Sequence, residues 1–236
     1  LARAASMEQV QQFVFLSSSS VYGNRETNRV SEEEPCIADT SYASSKIASE
    51  NLLMASPPSS STVILRPSMV FGPGDRGNML PLIKQVLSGK YFVVGAGDAE
   101  KSLIYCDDFA LAVKKVIDAQ EPGANIYNVA NPEPVSMKIL SESILKAGNI
   151  ARKIPSIPGP IVRILATAAS VLGDKSPLSN ERLAKLTRSN SISVSRFCKR
   201  YDFDPKVPLV DALTQEINWA KANKLMVSSD PWEEMV

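Results

Sequence analysis

The chain has 236 residues, with 26 lysines and arginines against 25 aspartates and glutamates, and it contains no histidine. Its net charge of +1 argues against a nucleic-acid or membrane-surface partner, because such proteins usually carry a basic excess. The absence of histidine excludes a Ser-His-Asp triad, an HExxH zinc site and a C2H2 finger. Acid–base chemistry near neutral pH would therefore use tyrosine, lysine, cysteine or a carboxyl group with a shifted pKa.

The three cysteines, Cys36, Cys106 and Cys198, are far apart and form no CxxC pair. Neither a zinc ribbon nor a redox pair is expected from this spacing, and no metal site is predicted. An odd number of cysteines favours a reducing cytoplasm. The longest apolar stretch, residues 161–172, is interrupted by Arg163 and is shorter than the ~20 residues that a membrane span needs. We therefore expect a cytoplasmic protein without a membrane partner.

Apolar runs and helical segments alternate through residues 1–135. The short apolar runs are typical of strands buried in a parallel sheet, and they fall at residues 13–16, 62–66, 91–94 and 124–129. Helical composition occupies residues 1–11, 40–55, 78–87 and 107–119, whereas the polar residues 24–39 are predicted to form a loop. Strands that alternate with helices of this length indicate βαβ units. The predicted fold class is α/β, with part of a Rossmann-type parallel sheet.

The pattern changes after Pro132, where strand signals become sparse. The helical segments beyond it are residues 136–147, 159–172, 178–187 and 208–223. We therefore predict a sheet domain over residues 1–135 and a mostly helical lobe with a C-terminal tail over residues 136–236. Segments at about residues 72–105 are expected to interleave with the lobe.

Tyr42 and Lys46 stand four residues apart within a predicted helix, a spacing that places both on one face. A free tyrosine with a pKa near ~10 is a poor base at neutral pH. A cation one turn away favours the phenolate, which could then exchange a proton with a sugar or alcohol oxygen. So short a motif also arises by chance, and by itself it favours Tyr42 as an ordinary packed aromatic.

The surroundings of this motif are more specific. The strand at residues 13–16 runs into the serine-rich turn 17–23, and the next strand ends in Leu65-Arg66-Pro67. Residues 13–23, 42–46 and 66–75 together resemble the extended short-chain dehydrogenase/reductase family, in its NAD-dependent epimerase/dehydratase branch. The resemblance extends from residue 1 to about residue 222. It implies an oxidoreductase or isomerase that uses NAD or NADP at the carboxyl edge of the sheet, where open α/β folds bind ligands.

The resemblance assigns roles to individual residues. Its Ser–Tyr–Lys triad corresponds to Ser18, Tyr42 and Lys46, because the family's catalytic hydroxyl lies four residues before the tyrosine of the VYG turn, here Tyr22. Tyr42 would be the acid–base group, Ser18 would share the substrate oxygen, and Lys46 would stabilise the phenolate and bind the ribose. The cofactor-binding residues implied are Tyr42, Lys46 and Pro67, with Pro67 beside the nicotinamide.

The substrate implied is a nucleotide sugar of the UDP-hexose type. Segment 77–83 resembles the part of UDP-hexose 4-epimerases in which an asparagine at a helix N-terminus holds the diphosphate, so Asn78 is the candidate ligand. Phe92 lies in a segment that resembles the family's edge strand along the nucleotide base. Lys101 corresponds to the family's phosphate-binding arginine. Ser20 is the further candidate substrate contact. The plain alternatives are an N-cap role for Asn78 and a solvated surface role for Lys101.

Two departures leave other functions open. The family's glycine-rich dinucleotide turn is missing, and segment 72–77, which fits GxGxxG, contains a proline that removes an amide from the turn. We expect 72–77 to be structural and the chain to be a fragment without the N-terminal glycine-rich half. Residues 66–72 have the form R-P-x-x-V-[FY]-G, which resembles nucleotide-sugar 4-reductases and hydroxysteroid or flavonol reductase relatives, whereas UDP-galactose 4-epimerases often read R-Y-F-N after this strand. The alternatives are therefore such a reductase or a non-catalytic truncated remnant. The family often forms homodimers through the helix that carries the tyrosine and lysine.

Overall fold

The computed structural model describes residues 2–77, 79–162 and 187–226. The chain divides into two compact units. The first contains Leu1–Val70, Ser102–Pro134 and Ser191–Lys206, and the second contains Phe71–Lys101, Val135–Asn190 and Val207–Val236. The first unit thus includes residues 191–206, which the sequence division assigns to the helical lobe. The second includes residues 71–101, most of the segment at about 72–105 that is expected to interleave with the lobe, whereas residues 102–105 belong to the first unit.

Helices and strands alternate along the described residues. The helices are α1 (Ala2–Met7), α2 (Ser41–Ala55), α3 (Met79–Ser88), α4 (Cys106–Ala119), α5 (Met137–Ala147), α6 (Ser195–Tyr201) and α7 (Leu209–Ala222). The strands are β1 (Gln12–Leu16), β2 (Thr27–Val30), β3 (Ser61–Pro67), β4 (Met69–Phe71), β5 (Val93–Val94), β6 (Glu100–Lys101), β7 (Leu103–Tyr105), β8 (Gly123–Val129), β9 (Val135–Ser136), β10 (Ser156–Ile157) and β11 (Asn190–Ile192).

The first unit is built around a parallel sheet in the order β1–β3–β8. Leu16 lies opposite Leu65, and Pro67 lies opposite Val129, so the three strands end at one edge. Every residue of β3 is buried, because it is the central strand and helices cover parallel sheets on both faces. The predicted α/β class with a Rossmann-type parallel sheet is confirmed.

Helix α2 begins where the sequence predicts. Thr40 is the N-cap, and its Oγ1 accepts a hydrogen bond from the Ala43 amide at 3.1 Å. The helix ends at Ala55, just before the two prolines at positions 57 and 58. These prolines cannot continue a helix, because proline lacks the amide donor. This capped helix carries Tyr42 and Lys46.

Strand β2 lies within residues 24–39, which the sequence predicts as a loop. Thr27 and Val30 are buried while the two residues between them are exposed. The strand lies next to β11, and the Arg29 amide donates to Ser191 Oγ at 2.9 Å. The loop prediction is wrong here because the partner strand is about 160 residues away, beyond the reach of a local pattern.

Helices are the longest elements among the described residues of the second unit. Helices α3, α5 and α7 pack on one another, and two short strand pairs, β5 with β10 and β6 with β9, lie beside them. The strand predicted at 91–94 is present only as Val93–Val94. The predicted helices at 159–172 and 178–187 lie mostly outside the described residues. No helix in the described part of the chain is long and apolar enough to cross a membrane.

Candidate active site

Tyr42 and Lys46 lie on one face of α2, as their spacing predicts. Lys46 Nζ is 5.6 Å from the centroid of the Tyr42 ring. The Tyr42 side chain is 54% exposed, so it is not a packed core aromatic. The phenol is therefore accessible to a ligand and has a cation one helical turn away.

Lys46 also joins α2 to the end of β1. Its Nζ donates a hydrogen bond to the carbonyl oxygen of Leu16 at 2.8 Å and lies 5.0 Å from the centroid of the Phe15 ring. Leu16 is the last residue of β1, two positions before Ser18. The ammonium group of Lys46 is thereby held where the strand meets the serine-rich turn.

Ser18 caps the 3-10 turn Ser19–Tyr22 that follows β1. Its Oγ accepts a hydrogen bond from the Ser20 amide at 3.2 Å. Gly23 ends the turn with φ at 78°, a left-handed conformation that favours glycine. The Ser18 hydroxyl keeps its own hydrogen for another acceptor, because it serves the turn only as an acceptor.

Three polar side chains follow the ends of the three parallel strands: Ser20 after β1, Ser68 after β3 and Asn131 after β8. Within the described residues, Ser20 Oγ, Ser68 Oγ and Asn131 Oδ1 are buried and have no hydrogen-bond partner. An unpaired buried polar atom costs about 1–3 kcal/mol, so this edge suits a polar ligand. Pro67, also buried, ends β3 just before Ser68. A nicotinamide cofactor fits these residues in chemical type.

The substrate residues predicted in the second unit have different surroundings. Phe92 packs against Val162. Lys101 Nζ donates to the carbonyl oxygen of Arg188 at 2.9 Å, and burial lowers the pKa of Lys101 to about 8. Asn78 lies outside the described residues, so its predicted role stays a prediction. Lys101 is thus not a freely solvated surface lysine.

The glycine-containing segment 72–77 forms a turn held by its own hydrogen bonds. The Asp75 amide donates to the carbonyl oxygen of Gly72 at 2.9 Å, and the Gly77 amide donates to Asp75 Oδ1 at 2.6 Å. Gly74 has φ at 103°. These bonds hold the turn together, and its purely structural role stays a prediction.

The structure also contains a buried polar network that the sequence interpretation did not include. Arg66 of β3 pairs with Glu50 of α2, with Nη2 and Oε2 2.6 Å apart. Ser17 Oγ donates to Glu50 Oε1 at 2.5 Å, and Arg66 Nη1 donates to the Tyr22 hydroxyl at 2.9 Å. The Tyr22 hydroxyl donates to Asn128 Oδ1 at 2.8 Å. One signal was available: Glu50 lies four residues after Lys46, on the same stripe of the helix.

Comparison with known proteins shows the family to which this chain belongs. The model of the NAD dependent epimerase/dehydratase family matches residues 1–130, more than half of the chain. The chain belongs to this family. A relative from Escherichia coli O157:H7, N-acetyl-alpha-D-glucosaminyl-diphospho-ditrans,octacis-undecaprenol 4-epimerase, is 30% identical over 208 residues, covering 85% of this chain and 60% of its own length.

Two further known proteins are similar to this chain. The 2-alkyl-3-oxoalkanoate reductase of Stenotrophomonas maltophilia is 35% identical over 111 residues, covering 45% of this chain and 34% of its own length. The crystal structure of UDP-glucuronic acid 4-epimerase from Bacillus cereus in complex with NAD aligns with a TM-score of 0.70 at 21% identity, covering 94% of this chain and 65% of that one. The chain therefore spans somewhat less than two thirds of the two epimerases and about one third of the reductase. The structural match bears on the fold.

Proposed function

We propose that this chain carries the acid–base part of an NAD- or NADP-dependent epimerase, dehydratase or reductase that acts at a ring carbon of a diphosphate-linked sugar. The observation that carries the proposal is the position of Lys46, one turn from the exposed phenol of Tyr42 and hydrogen-bonded to the end of β1. The cofactor named with the B. cereus epimerase is NAD, which supports the same cofactor class here. All three cysteines are free thiols, consistent with a cytoplasmic enzyme.

The proposed chemistry centres on proton movement at Tyr42. Its phenolate oxygen would accept the proton of the sugar hydroxyl as the carbon becomes a ketone, and it would return that proton in the reverse step. Lys46 would stabilise the phenolate electrostatically, while the Ser18 hydroxyl would donate a hydrogen bond to the same sugar oxygen. When bound, the nicotinamide accepts and returns the hydride.

The same residues would hold the cofactor. Lys46 and Tyr42 would contact the ribose hydroxyls, because the ammonium group offers hydrogens beyond the one it donates to Leu16. Pro67 would lie against the nicotinamide. The unpartnered oxygens of Ser20, Ser68 and Asn131 would provide polar groups for the substituents of the nicotinamide ring.

The substrate class proposed is a UDP-hexose or a closely related sugar diphosphate, with Ser20, Asn78, Phe92 and Lys101 as its binding residues. The E. coli relative is named for a sugar carried on undecaprenyl diphosphate, so the diphosphate-linked sugar is the common chemistry. Lys101 would leave the carbonyl of Arg188 to reach a phosphate, since an anion stabilises the charged form of a buried lysine.

The test of this proposal is Tyr42→Phe in the full-length protein, assayed with UDP-hexoses and polyprenyl-diphosphate sugars. We expect kcat to fall by about 10²–10⁴-fold, the range for losing a general acid–base group. Binding of the sugar should change little, because only the proton-transferring oxygen is removed. The matched control is Tyr91→Phe, a buried tyrosine of the second unit. Near-normal turnover in Tyr42→Phe would contradict the catalytic assignment.

A reductase of a hydrophobic ketone is the second candidate. The 35% identity to the 2-alkyl-3-oxoalkanoate reductase over 111 residues favours it, as does the hydrogen bond that Lys101 makes to Arg188. Such a substrate needs no diphosphate contact. Asn78→Ala combined with Lys101→Ala should raise KM at least tenfold for a sugar diphosphate and leave KM unchanged for a hydrophobic ketone.

A homodimer through α2 stays a prediction. Leu52 and Met54 of this helix are exposed, at 62% and 40%, which provides apolar side chains for such a contact. Sedimentation of the full-length protein with and without Leu52→Glu would test it.

A further inference from the structure

The buried pair Glu50–Arg66 lies between the helix that carries Tyr42 and Lys46 and the three parallel strands. The Glu50 and Arg66 side chains are 4% and 5% exposed. Arg66 donates from both Nε and Nη2 to the Glu50 carboxylate, at 3.0 Å to Oε1 and 2.6 Å to Oε2. Such a two-bond contact fixes orientation as well as distance.

This pair is tied to each strand end around it. Ser17, which follows β1, donates to Glu50 Oε1. Arg66 belongs to β3 and donates to the Tyr22 hydroxyl, which in turn donates to Asn128 in β8. The carboxyl ends of all three strands are therefore connected to one carboxylate of α2.

The charges of this network are balanced within it. Burial acts to lower the pKa of Arg66, but the hydrogen bonds and charge of Glu50, with the contribution of Tyr22, raise it above its ordinary value. Desolvation raises the pKa of Tyr22, so this hydroxyl stays neutral and donates to Asn128. Removing one partner of a buried ion pair is strongly destabilising, so we expect Glu50 and Arg66 to stay paired.

The network and the lysine hold α2 at two successive points. Lys46 reaches the carbonyl of Leu16, and Glu50, one turn further along, reaches the hydroxyl of Ser17. Ser18 directly follows Ser17 at this end of β1. Both contacts depend on the same rotation and axial position of α2, which also determine where the phenol of Tyr42 stands.

We propose that Glu50, held by Arg66 and Ser17, is a positioning residue that sets the placement of Tyr42 and Lys46 relative to Ser18. The inference rests on the proposed function for its effect on turnover. A charge-balancing role alone would need only a carboxylate near Arg66. Positioning also needs the length of the glutamate, because the carboxylate has to reach Ser17 and Arg66 from the helix at once.

The test is Glu50→Asp in the full-length protein, which keeps the charge and withdraws the carboxylate by one methylene. We expect kcat to fall about 100-fold, the effect of misplacing reacting groups by about 1 Å, with KM for the sugar within twofold of the wild type. The matched control is Glu133→Asp, whose partner Arg29 is exposed, and it should leave both constants unchanged. Ser17→Ala, which leaves the ion pair intact, should lower kcat about tenfold, with Ser19→Ala as its control.

Unchanged kcat in Glu50→Asp, or a loss of kcat matched by an equal rise in KM and a collapse of the thermal transition, would overturn the positioning role. Amide hydrogen exchange supplies a readout independent of turnover. Glu50→Asp should speed exchange in α2 and leave α4 unchanged. If the wild-type protein turns over no sugar diphosphate, the proposed function fails. In that case amide exchange in α2 is the only test of the positioning role, and unchanged exchange in Glu50→Asp would overturn that role.

Discussion

Lys46 illustrates how much one side chain can contribute at the residue scale. Its ammonium group contacts the carbonyl of Leu16 and lies near the rings of Phe15 and Tyr42. A packed apolar residue at this position would provide neither the charge for a phenolate nor a donor for a ribose. The same group is therefore expected to serve both turnover and cofactor binding.

We expect Lys46→Ala to lower kcat about 100-fold and to weaken binding of the nicotinamide cofactor about tenfold, since a hydrogen bond from a charged donor contributes about 1.5–3 kcal/mol. Turnover and a cofactor titration of the full-length protein measure the two effects. The control is Lys114→Ala, an exposed lysine of α4 that pairs with Asp118 one turn away. A loss of kcat with unchanged cofactor affinity would show that Lys46 does not contact the ribose.

At the scale of elements, α7 brings a carboxyl group against the turn at 72–77. Glu216 of α7 is fully buried, and neither of its carboxylate oxygens has a side-chain partner among the described residues. Burial and the nearby charge of Asp75 raise the pKa of Glu216 to about 8, although a backbone contact with Gly72 acts in the opposite direction. The helix is therefore packed with a carboxyl group whose burial favours its neutral form.

This burial predicts a pH-dependent stability. The pKa of Glu216 is higher in the folded state than in the unfolded state, where it has its usual value of 4.5. Its stabilising contribution is thus complete below about pH 4.5 and is lost as the pH rises towards 8. The loss should amount to a few kcal/mol.

Urea unfolding at pH 5 and pH 8 measures this effect. Glu216→Gln should remove most of the difference between the two pH values and should be more stable than the wild type at pH 8. The exposed Glu142→Gln on α5 serves as the control, and its pH dependence should equal that of the wild type. A Glu216→Gln protein with an unaltered pH dependence would show that this carboxyl group ionises normally.

At the scale of the whole molecule, the described parallel sheet has β1 at one edge, and the 236 residues contain no glycine-rich dinucleotide turn other than the proline-bearing segment 72–77. The residues proposed to hold the cofactor would all contact its nicotinamide half. In this class of fold, the pyrophosphate is bound by backbone amides at a helix N-terminus.

We therefore expect residues 1–236, expressed by themselves, to bind NAD or NADP weakly, with no saturation at micromolar concentration, and to associate through the edge of β1. Calorimetric titration with both cofactors and light scattering measure these properties. A monodisperse monomer that binds either cofactor at micromolar concentration would show that these residues contain a complete cofactor site.

The sequence by itself determined the features that depend on local pattern. The apolar runs predicted β1, β3 and β8 because the strands of a covered parallel sheet are apolar throughout. The spacing of Tyr42 and Lys46 predicted their shared face because a helix repeats every 3.6 residues. The helical composition of residues 40–55 predicted α2, which the structure has at Ser41–Ala55.

Only the tertiary structure decided which distant groups meet. Ser17 and Glu50 are 33 residues apart in the chain, and Tyr22 and Asn128 are 106 apart, so no local period relates them. Glu216 looks like any glutamate on an amphipathic helix, and its burial depends on the turn against which α7 packs. Long-range contacts of this kind arise from the packing of whole elements. The sequence therefore predicted the helix that carries the candidate catalytic pair, and the fold decided what holds that helix in place.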